Sequence, residues 1–110
     1  MPPDSPLGEF EITVLLAVLT LEDNASGARV LGEIAKRAGR TVARGAVYVT
    51  LDRLADKKLV TARVDRATPE RGGHPRRTFT LTPAGLKHLR RSIEMIDRMA
   101  AGLEPLLNRS

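Results

Sequence analysis

The chain has 110 residues, carries no cysteine, and sets 18 Lys and Arg against 13 Asp and Glu for a formal net charge of +5. That length holds one domain with one modest core, the lack of thiols excludes disulfides and thiolate metal sites, and the positive balance favours a polyanionic partner. No apolar run approaches the roughly 18 residues that a membrane span needs, and MPPDSPLGEF has no basic stretch ahead of an apolar one, so neither a membrane segment nor a signal peptide is expected; the expectation is a soluble, cytoplasmic protein.

Ser5-Pro6 reads as an N-cap and first helical position, with Glu9 in the first turn, and predicts a first helix over Pro6–Leu21. Its apolar residues form two stripes, Leu7, Phe10, Val14, Val18 and Leu21 on one side and Ile12, Leu16 and Leu19 on another. A helix apolar nearly all round needs cover on more than one side. The second cover comes either from a partner subunit or from within the chain. After the polar link Glu22–Ser26, Asn24 or Ser26 can cap a second helix, Gly27–Ala38, and Gly39 ends it. Val30, Leu31, Ile34, Ala35 and Ala38 make its apolar stripe, while Arg29, Glu33 and Arg37 form a solvated ladder four residues apart.

The link from Gly39 to Val42 is short, so the next helix, Thr41–Leu59, makes a helix-turn-helix with the second. Ala43, Val47, Leu51 and Leu54 fall on its core side at helical spacing. Gly45, Ala46, Val49, Asp52, Arg53 and Asp56 lie opposite, flanked by Arg44, Tyr48 and Thr50. Small residues at the start of that outer face let the backbone approach closely, as a helix entering a DNA major groove requires. An ordinary amphipathic helix would show the same core stripe, and Tyr48 suits packing at the core edge as well as DNA contact.

Past this helix the period changes to two. Val60, Ala62 and Val64 alternate with Thr61, Arg63 and Asp65, and Phe79 and Leu81 with Thr78, Thr80 and Thr82, which predicts a β-hairpin. The loop between, Arg66–Arg77, holds Pro69, Gly72, Gly73 and Pro75 and the basic residues Arg66, Arg71, Arg76 and Arg77 against the single acid Glu70. Three helices and a basic, glycine-tipped hairpin are the parts of a winged helix-turn-helix, whose wing holds phosphates or enters the minor groove. Thr82 and Pro83 open a last helix in which Leu86, Leu89, Ile93, Ile96, Ala100, Leu103 and Leu107 step by three and four. Three heptads span roughly 30 Å, long for so small a domain to cover, so the stripe reads as a dimer seam. Packing within its own domain is the other reading. Pro105 should end or kink the helix, and Gly102 weakens the same region.

His74 and His88 have no neighbouring ligands at metal spacing, the acids sit beside Lys or Arg at helical spacing, and no nucleophile arrangement or phosphate-cradling glycine motif occurs. No enzyme activity, cofactor or metal is expected.

Leu7-Gly8-Glu9 with the apolar run Val14–Leu19, Gly45-Ala46-Val47-Tyr48 with Leu51 and Asp52-Arg53-Leu54, Leu59-Val60, Pro69-Glu70-Arg71-Gly72-Gly73, and Phe79-Thr80-Leu81-Thr82-Pro83-Ala84-Gly85 occur in this order. Together they resemble the PadR family of transcriptional regulators, in its short type with a single C-terminal helix. The resemblance implies a homodimeric winged helix-turn-helix repressor of ligand-responsive genes. The chain departs from the family pattern at Ser26, where an aromatic is usual, and at Lys58, where a glycine commonly precedes Leu59. Its last helix also lacks any Trp, Tyr or Phe, the residues with which relatives often hold flat small-molecule effectors.

The expected fold is mostly α with a small β-hairpin: a winged helix-turn-helix over residues 1–82 and a dimerisation helix over 83–110, joined as one unit. The expected partner is double-stranded DNA, met as a homodimer on a two-fold operator. Candidate DNA contacts are Arg44, Gly45, Ala46, Tyr48, Val49, Thr50 and Arg53 on the third helix and Arg71, Arg76 and Arg77 on the wing. Candidate dimer contacts are Ile12, Leu16, Leu19, Leu86, Leu89, Ile93, Ile96, Ala100 and Leu103. The alternative is a winged-helix module that binds protein and uses its charge only for solubility.

Overall fold

In the computed structural model, which describes residues 6–65 and 75–109, α1 (Glu9–Leu21) passes through a 3-10 turn (Glu22–Asn24) to α2 (Gly27–Ala38) and α3 (Arg44–Asp56). The hairpin β1 (Val60–Asp65) and β2 (Arg76–Leu81) follows, then α4 (Pro83–Ala100) and a one-turn α5 (Glu104–Leu107). The helix-turn-helix, hairpin and final helix therefore occur as the sequence predicts.

The first helix starts later than expected. Gly8 caps it, donating its N–H to Glu11 Oε1 at 3.1 Å, so Pro6 and Leu7 precede the helix, and Ser5 lies outside the described residues. A carboxylate at the third helical position satisfies the capping amide from inside the helix. The inward face of α1 also differs, being Val14, Leu15, Ala17 and Val18. Leu15 belongs to neither predicted stripe yet is fully buried, while Leu16 and Leu19 remain exposed. In a helix apolar on every side, the packed neighbours choose the inward face.

Ser26 caps α2 by accepting from the Arg29 N–H at 3.3 Å, and Gly39, at φ 61°, ends it in the left-handed region. Val30 and Ile34 enter the core, whereas Ala35 and Ala38 face solvent. The third helix is shorter at both ends than Thr41–Leu59, and Ala43, its N-cap, is exposed. Its inward residues are Val47, Thr50, Leu51 and Leu54. The helix stops because Lys58 turns to φ 62°, so that the Lys58 N–H reaches Ala55 O at 2.9 Å and the Leu59 N–H reaches Leu54 O at 2.9 Å. This reversal usually takes glycine.

β1 and β2 pair antiparallel with Val60 opposite Leu81, Ala62 opposite Phe79 and Val64 opposite Arg77. Only the base of the hairpin joins the core, through Val60, Thr78 and Phe79; Ala62 and Val64 are exposed. Thr78 is covered because the segment before α2 runs alongside β2, with a bridge from Ser26 to Thr78 and the Phe79 N–H donating to Ala25 O at 2.9 Å.

Thr82 caps α4 by accepting from the Gly85 N–H at 2.9 Å, and its hydroxyl donates to Lys58 O at 2.8 Å. The opening turn is thereby fastened to the end of α3. Leu89 is buried in its own subunit, and Ile12 and Ile93 lean on the same core, so the expected dimer seam loses Leu89 outright and these two in part. Beyond Ile93 the helix carries exposed Met95, Ile96 and Met99. It ends at Ala100, where Gly102 reverses the backbone at φ 80°. Leu103 and Leu107 therefore lie off the α4 stripe, and Pro105 sits in the first turn of α5 instead of ending a longer helix.

Candidate nucleic-acid interface

The outward face of α3 presents Arg44, Gly45, Ala46, Val49, Asp52 and Arg53, all exposed. Val49 is 50% exposed on a helix whose opposite side is fully buried, so its isopropyl group projects from the protein. A Cβ built on Gly45 meets nothing within 4 Å; the helix start is open in front, as groove entry requires. Arg44 and Arg53 have no carboxylate within 4 Å among the described residues, so their charge is available to a phosphate or a base edge.

Two expected contacts on α3 stand elsewhere. Thr50 is buried between the Val47 and Leu54 turns and is no DNA contact in this geometry. It falls beside the core stripe, so it reads as flank by angle alone. Tyr48 is half-buried with its ring over the first turn of α2, and a Cβ on Gly27 would lie 2.3 Å from its Cε1 and 2.7 Å from its hydroxyl oxygen. Gly27 thus makes room for Tyr48, which joins the two helices of the helix-turn-helix. Spacing gave no sign of this pairing, since the two residues belong to different helices.

On the hairpin, Arg71 lies outside the described residues. Arg76 and Arg77 are neighbours in sequence and so point to opposite faces of β2. Arg76 approaches Asp65 at 3.9 Å, beside Arg63, which meets the same carboxylate at 3.1 Å. Its Nε is buried with no hydrogen-bond partner among the described residues. Arg77 turns toward α3, donating from Nη2 to Asp52 Oδ1 at 2.8 Å and lying 5.1 Å from the Phe79 ring centroid. Neither arginine stands free, as the basic loop suggested.

Another ion pair braces α3 from behind. Lys57, just after α3, donates to Glu11 Oε2 at 2.6 Å, with both side chains mostly shielded. Burial pushes the Glu11 carboxyl up, but hydrogen bonds from Lys57 and the Gly8 N–H and the charges of Lys57 and Arg53 outweigh it, holding the group below the usual glutamate range. At the other end of α1's first turn, Arg40 pairs with Glu9 and lies 5.6 Å from the Phe10 ring centroid. Among the described residues, no group of three His, Cys, Asp or Glu is placed to hold a metal, and no helix is long and apolar enough to cross a membrane.

The family model described as "Transcriptional regulator PadR-like family" matches residues 15–91. No curated protein matches the chain significantly. Among solved structures, a PadR-family transcriptional regulator from Eggerthella lenta DSM 2243 is 24% identical, with a TM-score of 0.70 over 88% of this chain and 82% of that one. A PadR-like regulator from Bacillus cereus is 20% identical, with a TM-score of 0.72 over 92% and 93%. Bacillus subtilis PadR, solved in complex with operator DNA, is 18% identical, with a TM-score of 0.65 over 80% of this chain and 48% of that one. At these identities the structures establish a common fold.

Proposed function

This chain belongs to the PadR-like family of transcriptional regulators, and from that premise we propose that it binds a two-fold DNA operator as a homodimer in the cytoplasm and represses transcription by occupying it. The observation that carries the reading is the outer face of α3, where Gly45 and Ala46 leave the helix start open beside Arg44 and Arg53, neither of which has a carboxylate within 4 Å among the described residues. With α3 in the major groove, Val49 would meet a thymine methyl and the two arginines would reach phosphates or base edges. The hairpin would lie along the flanking backbone. Residues 1–82 act in this reading as the DNA-binding unit and 83–110 as the dimerisation unit. Leu16, Leu19, Leu86, Ile96 and Met99 would form the seam, being apolar and exposed in the single subunit. A two-fold dimer then holds two half-sites about 34 Å apart.

Binding to random duplex DNA across a salt series tests the reading. Neutralising about six to ten phosphates per dimer gives a log–log slope of roughly −5 to −9; a flat response would point instead to a module that binds protein. Val49→Glu narrows the test to the helix face. The side chain is exposed, so the melting temperature should stay within a few degrees while operator binding is lost to repulsion between the carboxylate and the phosphates. Strong destabilisation without that loss would mean that another face meets DNA.

A further inference from the structure

The outer face of α3 carries Asp52 one turn beyond Val49, and an acid there opposes the phosphate field unless something neutralises it or a base donates to it. Arg77 supplies the neutralising charge from the hairpin. Its guanidinium is held at two points, by Asp52 Oδ1 at 2.8 Å and by the Phe79 ring at 5.1 Å from the centroid. Phe79 is itself fixed, being 1% exposed in the core. Among the described residues this is the one side-chain hydrogen bond joining α3 to the hairpin. It also sits where the hairpin leaves the body: Val64, opposite Arg77, and Arg63, one step nearer the base, are exposed and add no core contact.

We propose that Asp52 and Arg77 are positioning residues: their pair sets the pitch of the hairpin against the recognition helix, so that wing and helix meet one DNA site in a single register. The inference rests on the DNA-binding reading above. Arg77 here acts through Asp52 and not on a phosphate, and Asp52 contributes to discrimination although its charge alone weakens DNA binding. Both side chains are about half exposed in the free protein, so water screens the pair and it adds little to folding. Against DNA, water leaves the gap between helix and hairpin and the interaction strengthens. Loss of the pair lets the hairpin turn about its base, and contacts that depend on both elements at once are the ones lost.

The sign of one substitution separates this role from simple repulsion. Asp52→Asn removes a negative charge and frees Arg77, so random DNA should bind more tightly. If Asp52 only repels phosphate, the operator should gain by the same factor. If the pair orients the hairpin, the operator should gain less or lose, and the ratio of random to operator dissociation constants should fall by about threefold per subunit, or about tenfold for a dimer carrying two pairs. Arg77→Gln should lower the same ratio to a similar degree while weakening random DNA. The double variant should lower it no further than either single one, because both remove one interaction. The operator probe is the DNA that the wild-type protein selects from a random pool, and thermal unfolding of each variant establishes that the fold is kept. An unchanged ratio in Asp52→Asn, or losses that multiply in the double variant, overturns the proposal. A wild-type protein with no salt-dependent DNA binding overturns the DNA reading itself, before any variant is compared.

Discussion

Gly85, three residues into α4, sets two opposed effects against each other when changed to alanine. Alanine is the better helix former by about 1 kcal/mol in a helix interior, and by that measure alone Gly85→Ala would stabilise the protein. The position allows no side chain, however: a Cβ there would stand 1.9 Å from Leu59 O, 2.9 Å from its carbonyl carbon and 3.2 Å from its Cα. Ordinary contact requires a retreat of about 1.5 Å, and the obstacle is backbone, which has no rotamer to change. Either α4 lifts or the Leu59 strand entry shifts, and three hydrogen bonds share that junction: Gly85 N–H to Thr82 Oγ1 at 2.9 Å, Thr82 Oγ1 to Lys58 O at 2.8 Å and Thr82 N–H to Leu59 O at 3.0 Å. At about 1 kcal/mol each, with Leu89 and Leu59 drawn partly out of the core, the loss comes to about 3–5 kcal/mol and exceeds the propensity gain. The net destabilisation of about 2–4 kcal/mol corresponds to a fall in melting temperature of about 10–20 °C. Circular dichroism during heating measures it, with Gly32→Ala as the control, since a Cβ there meets nothing within 4 Å and only the propensity gain remains. A Gly85→Ala protein that melts within about 3 °C of wild type would refute the close approach of α4 to Leu59 and the reasoning built on it.

Lys58→Gly removes a side chain from a residue at φ 62° and should stabilise the fold by about 0.5–1 kcal/mol, read as a rise of a few degrees in melting temperature; a fall would mean that the lysine makes a compensating contact. For assembly, Ile96→Glu combined with Met99→Glu is a cleaner probe than a change at Ile93, which leans on its own core, because these side chains are 47% and 71% exposed in the subunit. With the wild type dimeric as proposed, sedimentation should show a folded monomer for this variant, with operator affinity lower by orders of magnitude; a persisting dimer would place the seam elsewhere. Glu11 should make stability depend on acid. Its folded pKa is lowered, so its contribution is complete above the ordinary glutamate range and disappears as the pH falls through the folded value. Glu11→Gln should therefore melt earlier than wild type at neutral pH and converge with it in acid, and a gap that stays constant with pH would show that the Glu11–Lys57 pair is not its source.

The sequence by itself determined the order and kind of the elements, because those rest on chemistry local to a few residues. Gly39 as a left-handed stop, Thr82-Pro83 as a helix start and the period-two runs around Val60 and Phe79 act through their own backbone, and each stands where its pattern put it; of the two caps open to α2, Asn24 and Ser26, the second is used. The family motifs were legible for the same reason. Gly85 is the exception: what requires a glycine there is the Leu59 backbone, which only packing brings against the first turn of α4. What the tertiary structure decided is which of several chemically equal faces and partners is used. Periodicity measures the angle of a side chain about its helix and is silent on what stands opposite. Leu15 is inward and Leu16 outward on a helix apolar all round, Thr50 is buried beside a stripe it does not belong to, and Leu89 is enclosed within its own chain. The start of α1 moved to Gly8 because Glu11 serves that amide and Lys57, 46 residues away, with the two oxygens of one carboxylate. Likewise the wing arginines read as equals along the chain, yet strand alternation sends Arg76 to Asp65 and Arg77 across 25 residues to Asp52. An ion pair between distant residues exists only once packing has brought their elements together, which is why no local pattern announces it.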